Sequence, residues 1–76
     1  MGAFKITLEA ARVNAHLKQK DAAKLIGVST QTLLNWEKGY TSPGLEKALK
    51  LCEVYGVEID NLIFFNQQSN EIERAI

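Results

Sequence analysis

A chain of 76 residues holds one domain at most, and at that size only about 60% of the unfolded surface is buried on folding, so the core must be economical. With 46% hydrophobic and 24% charged residues the chain is too apolar for disorder, and its net charge of zero does not mark a nucleic-acid binder. The single Cys52 excludes an internal disulfide, no apolar run reaches the ~18 residues of a membrane span, and no signal-peptide pattern opens the chain, which makes the cytoplasm the expected location.

Thr7 precedes a run whose apolar positions Leu8, Ala11 and Ala15 share one helical face, and its hydroxyl suits an N-cap. The spacing predicts a first helix to about Ala15. Gln19 to Ile26 reads as a second helix, with Ala22, Ala23 and Ile26 on one side and Lys20, Asp21 and Lys24 on others. The small alanines allow another helix to approach closely. Gly27 stops this helix, and only Val28 and Ser29 intervene before a third, which Ser29 is placed to cap. Leu33 and Trp36 point inward from it, and Gly39 ends it after about Lys38.

Tyr40 to Gly44 is a polar loop. A fourth helix, Leu45 to Tyr55, is expected to bury Leu45, Ala48, Leu49 and Cys52 before Gly56 closes it, and a short fifth turn follows around Ile59 to Phe64. Residues 66–70 are polar, and 71–76 have room for one more helical turn. The chain therefore divides into a domain over 1–65 and a polar tail over 66–76. Its fold class is all-α, a compact bundle of about five short helices.

Charge is unevenly spread along this bundle. Residues 1–42 carry six basic side chains (Lys5, Arg12, Lys18, Lys20, Lys24, Lys38) against Glu9, Asp21 and Glu37. Residues 43–76 reverse the ratio, with Lys47, Lys50 and Arg74 against six acids. Such a dipolar domain is able to present its basic half to phosphates, although ordinary surface scatter has the same composition.

The informative unit is Gln19 to Gly39: a helix, a tight Gly27-Val28-Ser29 turn, and a second helix with an aromatic on its buried side. A turn this short, opened by glycine, makes the two helices cross steeply. The second helix then protrudes, free to enter a major groove about 12 Å wide. On a helical wheel Leu33, Trp36 and Glu37 fall on one side, while Gln31, Leu34, Asn35 and Lys38 fall on the other and Thr30 lies in the exposed first turn. Amides read adenine, an apolar side chain touches a thymine methyl, and a cation meets phosphate. A solvated polar face is the plain alternative, which an outward Leu34 fits poorly.

Glu37 lies on the flank of an apolar face, as Arg12 does on the first helix beside Leu8 and Ala15. An unpaired charge there costs several kcal/mol on burial. The two are expected to form a structural ion pair tying helix one to helix three.

Leu17 to Ala23, Ile26-Gly27-Val28-Ser29, Thr32-Leu33, Trp36-Glu37-Lys38-Gly39 and Pro43 together resemble the phage-repressor (Cro-type, lambda-repressor-like) helix-turn-helix family. Tyr55-Gly56-Val57 and Asp60-Asn61-Leu62 are similar to its closing segments, and the resemblance covers about residues 7 to 65. It implies double-stranded DNA as partner and transcription regulation, of repressor type in a phage or mobile element, as function. By position it implies that Ser29, Thr30, Gln31 and Asn35 face bases, to which the helical wheel adds Leu34. Gln19, Lys38 and the loop residues Tyr40, Thr41 and Ser42 would lie along phosphates, and Lys18, itself a departure from the family, adds a cation beside them. Arg12 and Glu37 fall on positions that pair in some members. Three positions depart from the pattern: His16 replaces a usual glycine, Lys18 a usual threonine cap, and Gly44 a usual Ser or Asp cap. Each exchange costs roughly 0.5–1 kcal/mol.

His16 and Cys52 are the only residues of their types and lie in different segments, so no metal-ligand spacing exists. Cys52 reads as a small core residue. Ser29 has no base beside it in sequence and no phosphate-binding glycine loop occurs, so neither an enzyme nor a cofactor is expected. Phe4, Ile6, Phe64 and Phe65 either cover the bottom of the core or join Ile72, Ala75 and Ile76 in a dimer surface. A homodimer on DNA reads two half-sites. The competing function is a protein-interaction module, antirepressor-like or antitoxin-like, binding another regulator.

Overall fold

The computed structural model describes residues 5–64 and orders them as β1 (Ile6–Thr7), α1 (Leu8–Asn14), α2 (Gln19–Ile26), α3 (Thr30–Lys38), α4 (Leu45–Tyr55), a 3-10 turn (Ile59–Asn61) and β2 (Leu62–Ile63). Phe4, Phe65 and the tail over 66–76, with its proposed helical turn, lie outside the described residues.

Two helices start as the cap residues dictate. The Thr7 hydroxyl accepts from the Ala10 amide at 3.1 Å, and the Ser29 hydroxyl accepts from Thr32 at 3.0 Å. Each satisfies a first-turn donor that the helix itself leaves open. By contrast, α2 and α4 begin at Lys18 and Gly44 with no side-chain cap.

The bundle differs from a pure five-helix reading at its closing end. Only four α-helices form among the described residues, and the fifth segment is a single 3-10 turn leading into β2. That strand runs parallel to β1, pairing Ile6 with Leu62 and Thr7 with Ile63. The pairing is non-local and two residues long, too short to leave a period in sequence. It fastens the entry of α1 to the segment after the 3-10 turn, and Ile6 and Phe64 both pack against the core there.

Leu8, Leu33 and Leu51 are the largest side chains enclosed completely, each a burial of about 1.5–3 kcal/mol. Ala22 and Ala23 are likewise buried, so α2 lies close against its neighbours α3 and α4. The face of α4 is rotated from its expected setting. Ala48, Leu51 and Tyr55 are buried and Cys52 is half-buried, whereas Leu45 is 71% and Leu49 51% exposed. Apolar residues surround α4 on most sides, so several stripes satisfy helical periodicity, and packing on α1 and α2 selects one of them. Burial, with a smaller contribution from Glu58, pushes the Cys52 thiol up from its ordinary pKa, away from reactive thiolate character.

Gly27 ends α2 at φ 90°, where a side chain would be strained, and its amide bonds Ala23 O at 2.8 Å. His16 stands at φ 62°, the one non-glycine residue with positive φ among those described. His16→Gly is therefore expected to raise stability by about 0.5–1 kcal/mol in thermal melts. A lowered melting temperature would show that the imidazole contributes more than the backbone loses.

The Tyr55 hydroxyl is buried with no hydrogen-bond partner among the described residues. Its pKa is pushed up to about 12, first by burial and then by Glu37, with Arg12 opposing. The unfolded chain loses this proton near pH 10 while the folded chain keeps it to about pH 12. Stability contributed by the neutral phenol is thus fully present below pH 10 and declines between these values, by on the order of 2 kcal/mol. Tyr55→Phe removes the unsatisfied hydroxyl. It is expected to hold stability level or raise it by up to about 1 kcal/mol at neutral pH, and to flatten the alkaline decline in denaturant titrations. An unchanged alkaline slope in the variant would place the titrating group elsewhere.

Candidate nucleic-acid interface

The candidate surface is α3 together with the start of α2 and the loop after α3, and a buried polar junction holds the three in register. Arg12 reaches from α1 across to α3, where its Nε donates to Glu37 Oε2 at 2.7 Å and its Nη2 to Oε1 at 3.4 Å. Its Nη1 donates to the Leu17 carbonyl at 2.9 Å. Gln19 Nε2 then donates to Glu37 Oε1, also at 2.9 Å. Both charges are buried, with side-chain exposures of 10% and 3%. The hydrogen bond to Glu37 raises the Arg12 pKa, outweighing desolvation, so the guanidinium remains charged. The Arg12–Glu37 pair thus joins α1, the segment before α2, the first residue of α2 and the last turn of α3.

The turn between α2 and α3 is held from a second side. Lys47 on α4 reaches the Ile26 carbonyl at 3.4 Å, placing a cation at the negative end of α2. Its Nζ also lies 3.7 Å from where a Gly27 Cβ would stand. Residue patterning does not mark Lys47, because the contact joins segments 21 positions apart.

Along α3 the buried side is Leu33, Trp36 and Glu37. Thr30, Gln31 and Lys38 are exposed, and Asn35 is half-buried. Leu34 is half-buried too, not fully outward as the wheel places it. The Ser29 hydroxyl is occupied in the cap, accepting from the Thr32 amide and donating to Thr32 Oγ1 at 2.9 Å. Gln31 Nε2 donates to Asn35 Oδ1 at 3.0 Å, one turn further on. The spacing of four on a helix is the sequence signal for this pair.

Lys18 is exposed and Gln19 half-buried at the uncapped start of α2, whose first amides carry the positive end of the helix dipole. Tyr40, Thr41 and Ser42 are exposed in the loop. Its backbone is folded onto the end of α3, for the amides of Tyr40 and Thr41 both point at the Asn35 carbonyl, at 2.9 and 3.4 Å. The Gln19–Glu37 bond brings the start of α2 beside this same end of α3. Protruding amides on α3 are therefore flanked by cations and backbone donors, an arrangement suited to an anionic ligand with readable edges.

A family model described as Helix-turn-helix matches residues 8–62. The chain is 38% identical over 62 residues to an uncharacterized HTH-type transcriptional regulator of Methanocaldococcus jannaschii, covering 82% of this chain and 94% of that one. It is 42% identical over 60 residues to the cryptic phage CTXphi transcriptional repressor RstR of Vibrio cholerae, covering 79% of this chain and 54% of that repressor. With the HTH-type transcriptional regulator ImmR of Bacillus subtilis it shares 33% identity over 66 residues, or 87% of this chain and 52% of that one. No solved structure matches. From the match over residues 8–62, on a helix pair whose turn opens at Gly27 and which the Gln19–Glu37 bond ties together, the chain belongs to the helix-turn-helix family of the phage-repressor (Cro-type, lambda-repressor-like) kind.

Proposed function

We propose that this protein is a sequence-specific, double-stranded DNA-binding transcription regulator of repressor type that reads the major groove with α3. The observation that carries the reading is the exposed amide-bearing face of α3, Thr30 and Gln31 with Asn35 behind them, opposite a fully buried Leu33 and Trp36. In this reading Thr30, Gln31, Leu34 and Asn35 meet base edges, and the Ser29 hydroxyl serves first as cap. Lys18, Gln19, Lys38 and the Tyr40–Ser42 loop hold phosphates. Gln19 retains a second Nε2 hydrogen for that contact while the first is bound to Glu37. One relative named as a repressor, that of a cryptic phage, supports the repressor and mobile-element assignment. Nothing in this mechanism calls for catalysis, a metal or a cofactor. The cytoplasm is the corresponding location, and among the described residues no helix is long and apolar enough to cross a membrane.

A homodimer on DNA is the finer reading of the partner. An open groove of about 400 Å³ is lined by Pro43, Leu45, Ala48, Ile59, Leu62 and Phe64, with Lys5 and Asp60 among its polar lining, and Leu45 stands largely exposed at it. Apolar surface of this kind suits a protein contact, here a second copy bound at the neighbouring half-site.

Selection from a random duplex library at moderate salt tests both readings. Wild type is expected to yield one motif, palindromic if the dimer forms. Gln31→Ala is expected to lose about 1–3 kcal/mol on the best site and to flatten discrimination at its base pair. Equal loss on every sequence would contradict base reading. An absence of any motif, with a stoichiometric protein partner recovered instead, would favour the protein-interaction function.

A further inference from the structure

Resting on that DNA reading, we propose that Gln31 and Asn35 recognise bases as one coupled unit. Gln31 turns Asn35 into a hydrogen-bond donor toward DNA and so selects guanine at the base pair Asn35 faces. The two amides are four residues apart on α3, and Gln31 Nε2 donates to Asn35 Oδ1 at 3.0 Å. A primary amide has two faces to offer, an accepting oxygen and a donating nitrogen. With its oxygen turned along the helix toward Gln31, Asn35 has its two Nδ2 hydrogens left for a ligand, and among the described residues no hydrogen bond occupies them. Alone, an asparagine favours adenine, accepting from N6 and donating to N7. A donor-presenting asparagine matches the major-groove edge of guanine instead, where O6 and N7 both accept.

Gln31 keeps the complementary capacity. One Nε2 hydrogen is spent on Asn35, while its Oε1 and second hydrogen remain, the pattern adenine requires. The pair therefore predicts adenine and guanine at the two positions it reads, from two side chains that separately would both favour adenine. Order in the pair also follows from its setting. Asn35 is half-buried on a short side chain, and its backbone carbonyl anchors the following loop, so its amide has limited freedom, and Gln31 adds the constraint that sets its direction.

The test is duplex selection followed by competition binding with wild type, Gln31→Ala, Asn35→Ala and Asn35→Asp, each checked for helix content by circular dichroism. The base pair that Asn35→Ala relaxes defines the Asn35 position. The proposal expects wild type to select guanine there, Gln31→Ala to erode that preference about tenfold and shift it toward adenine, and Asn35→Asp to favour cytosine through its N4 donor. If wild type selects a motif but adenine stands at the Asn35 position, or if Gln31→Ala alters only its own base pair, the coupling is overturned while DNA reading stands. If wild type selects no motif, the DNA reading fails, and the coupled unit with it.

Discussion

Arg12→Ala is expected to destabilise the fold by about 3–5 kcal/mol, a large part of the total stability of a domain this small. The loss comes from what stays behind. Glu37 would remain buried at 5% exposure without its counter-ion, and the Leu17 carbonyl would lose its donor. Gln19 still donates to Glu37, but a neutral amide compensates a buried carboxylate poorly. Because the penalty is that of an orphaned charge, replacing both partners by apolar residues of similar size is expected to recover most of it. Urea unfolding of Arg12→Ala, Glu37→Leu and Arg12→Met/Glu37→Leu separates these contributions. Arg12→Ala within 1 kcal/mol of wild type would mean that the junction is not held by this pair. The double variant adds a functional readout: with Glu37 gone, Gln19 loses its anchor, and affinity for DNA should fall even where stability is regained.

The second large effect is a contrast along α4. Leu51→Ala is expected to cost about 2–5 kcal/mol, because Leu51 is fully enclosed and its removal leaves a cavity among Leu8, Leu33 and the other core side chains. Leu49→Ala, two positions away and half exposed, should stay within about 0.5 kcal/mol of wild type. Chemical denaturation of both variants reads the rotation of α4 directly. A costly Leu49→Ala with a mild Leu51→Ala would mean that the helix presents its other stripe to the core.

The helix-turn-helix unit was legible residue by residue because its signals are local. Gly27 and Gly39 mark stops, Ser29 marks a start, and Leu33 with Trp36 marks an inner face, each within one or two turns of the residue that it explains. Arg12 and Glu37 stood out for the same reason, as charges beside apolar neighbours. Their pairing, and the further bonds to Leu17 and Gln19, exist only because α1 crosses to the end of α3 in space.

Local patterning by itself determined the helix-rich class, the tight turn between α2 and α3 and the polar outer face of α3, since caps, glycines and a 3.6-residue period act over a few bonds. Only the tertiary structure decided the inner face of α4, where Leu45, Ala48, Leu49 and Cys52 make as good a stripe as Ala48, Leu51, Cys52 and Tyr55. The same holds for the parallel β1–β2 pair, which joins residues 56 positions apart. The physical reason is common to both: each choice is made by what packs against the segment, and that partner lies far along the chain.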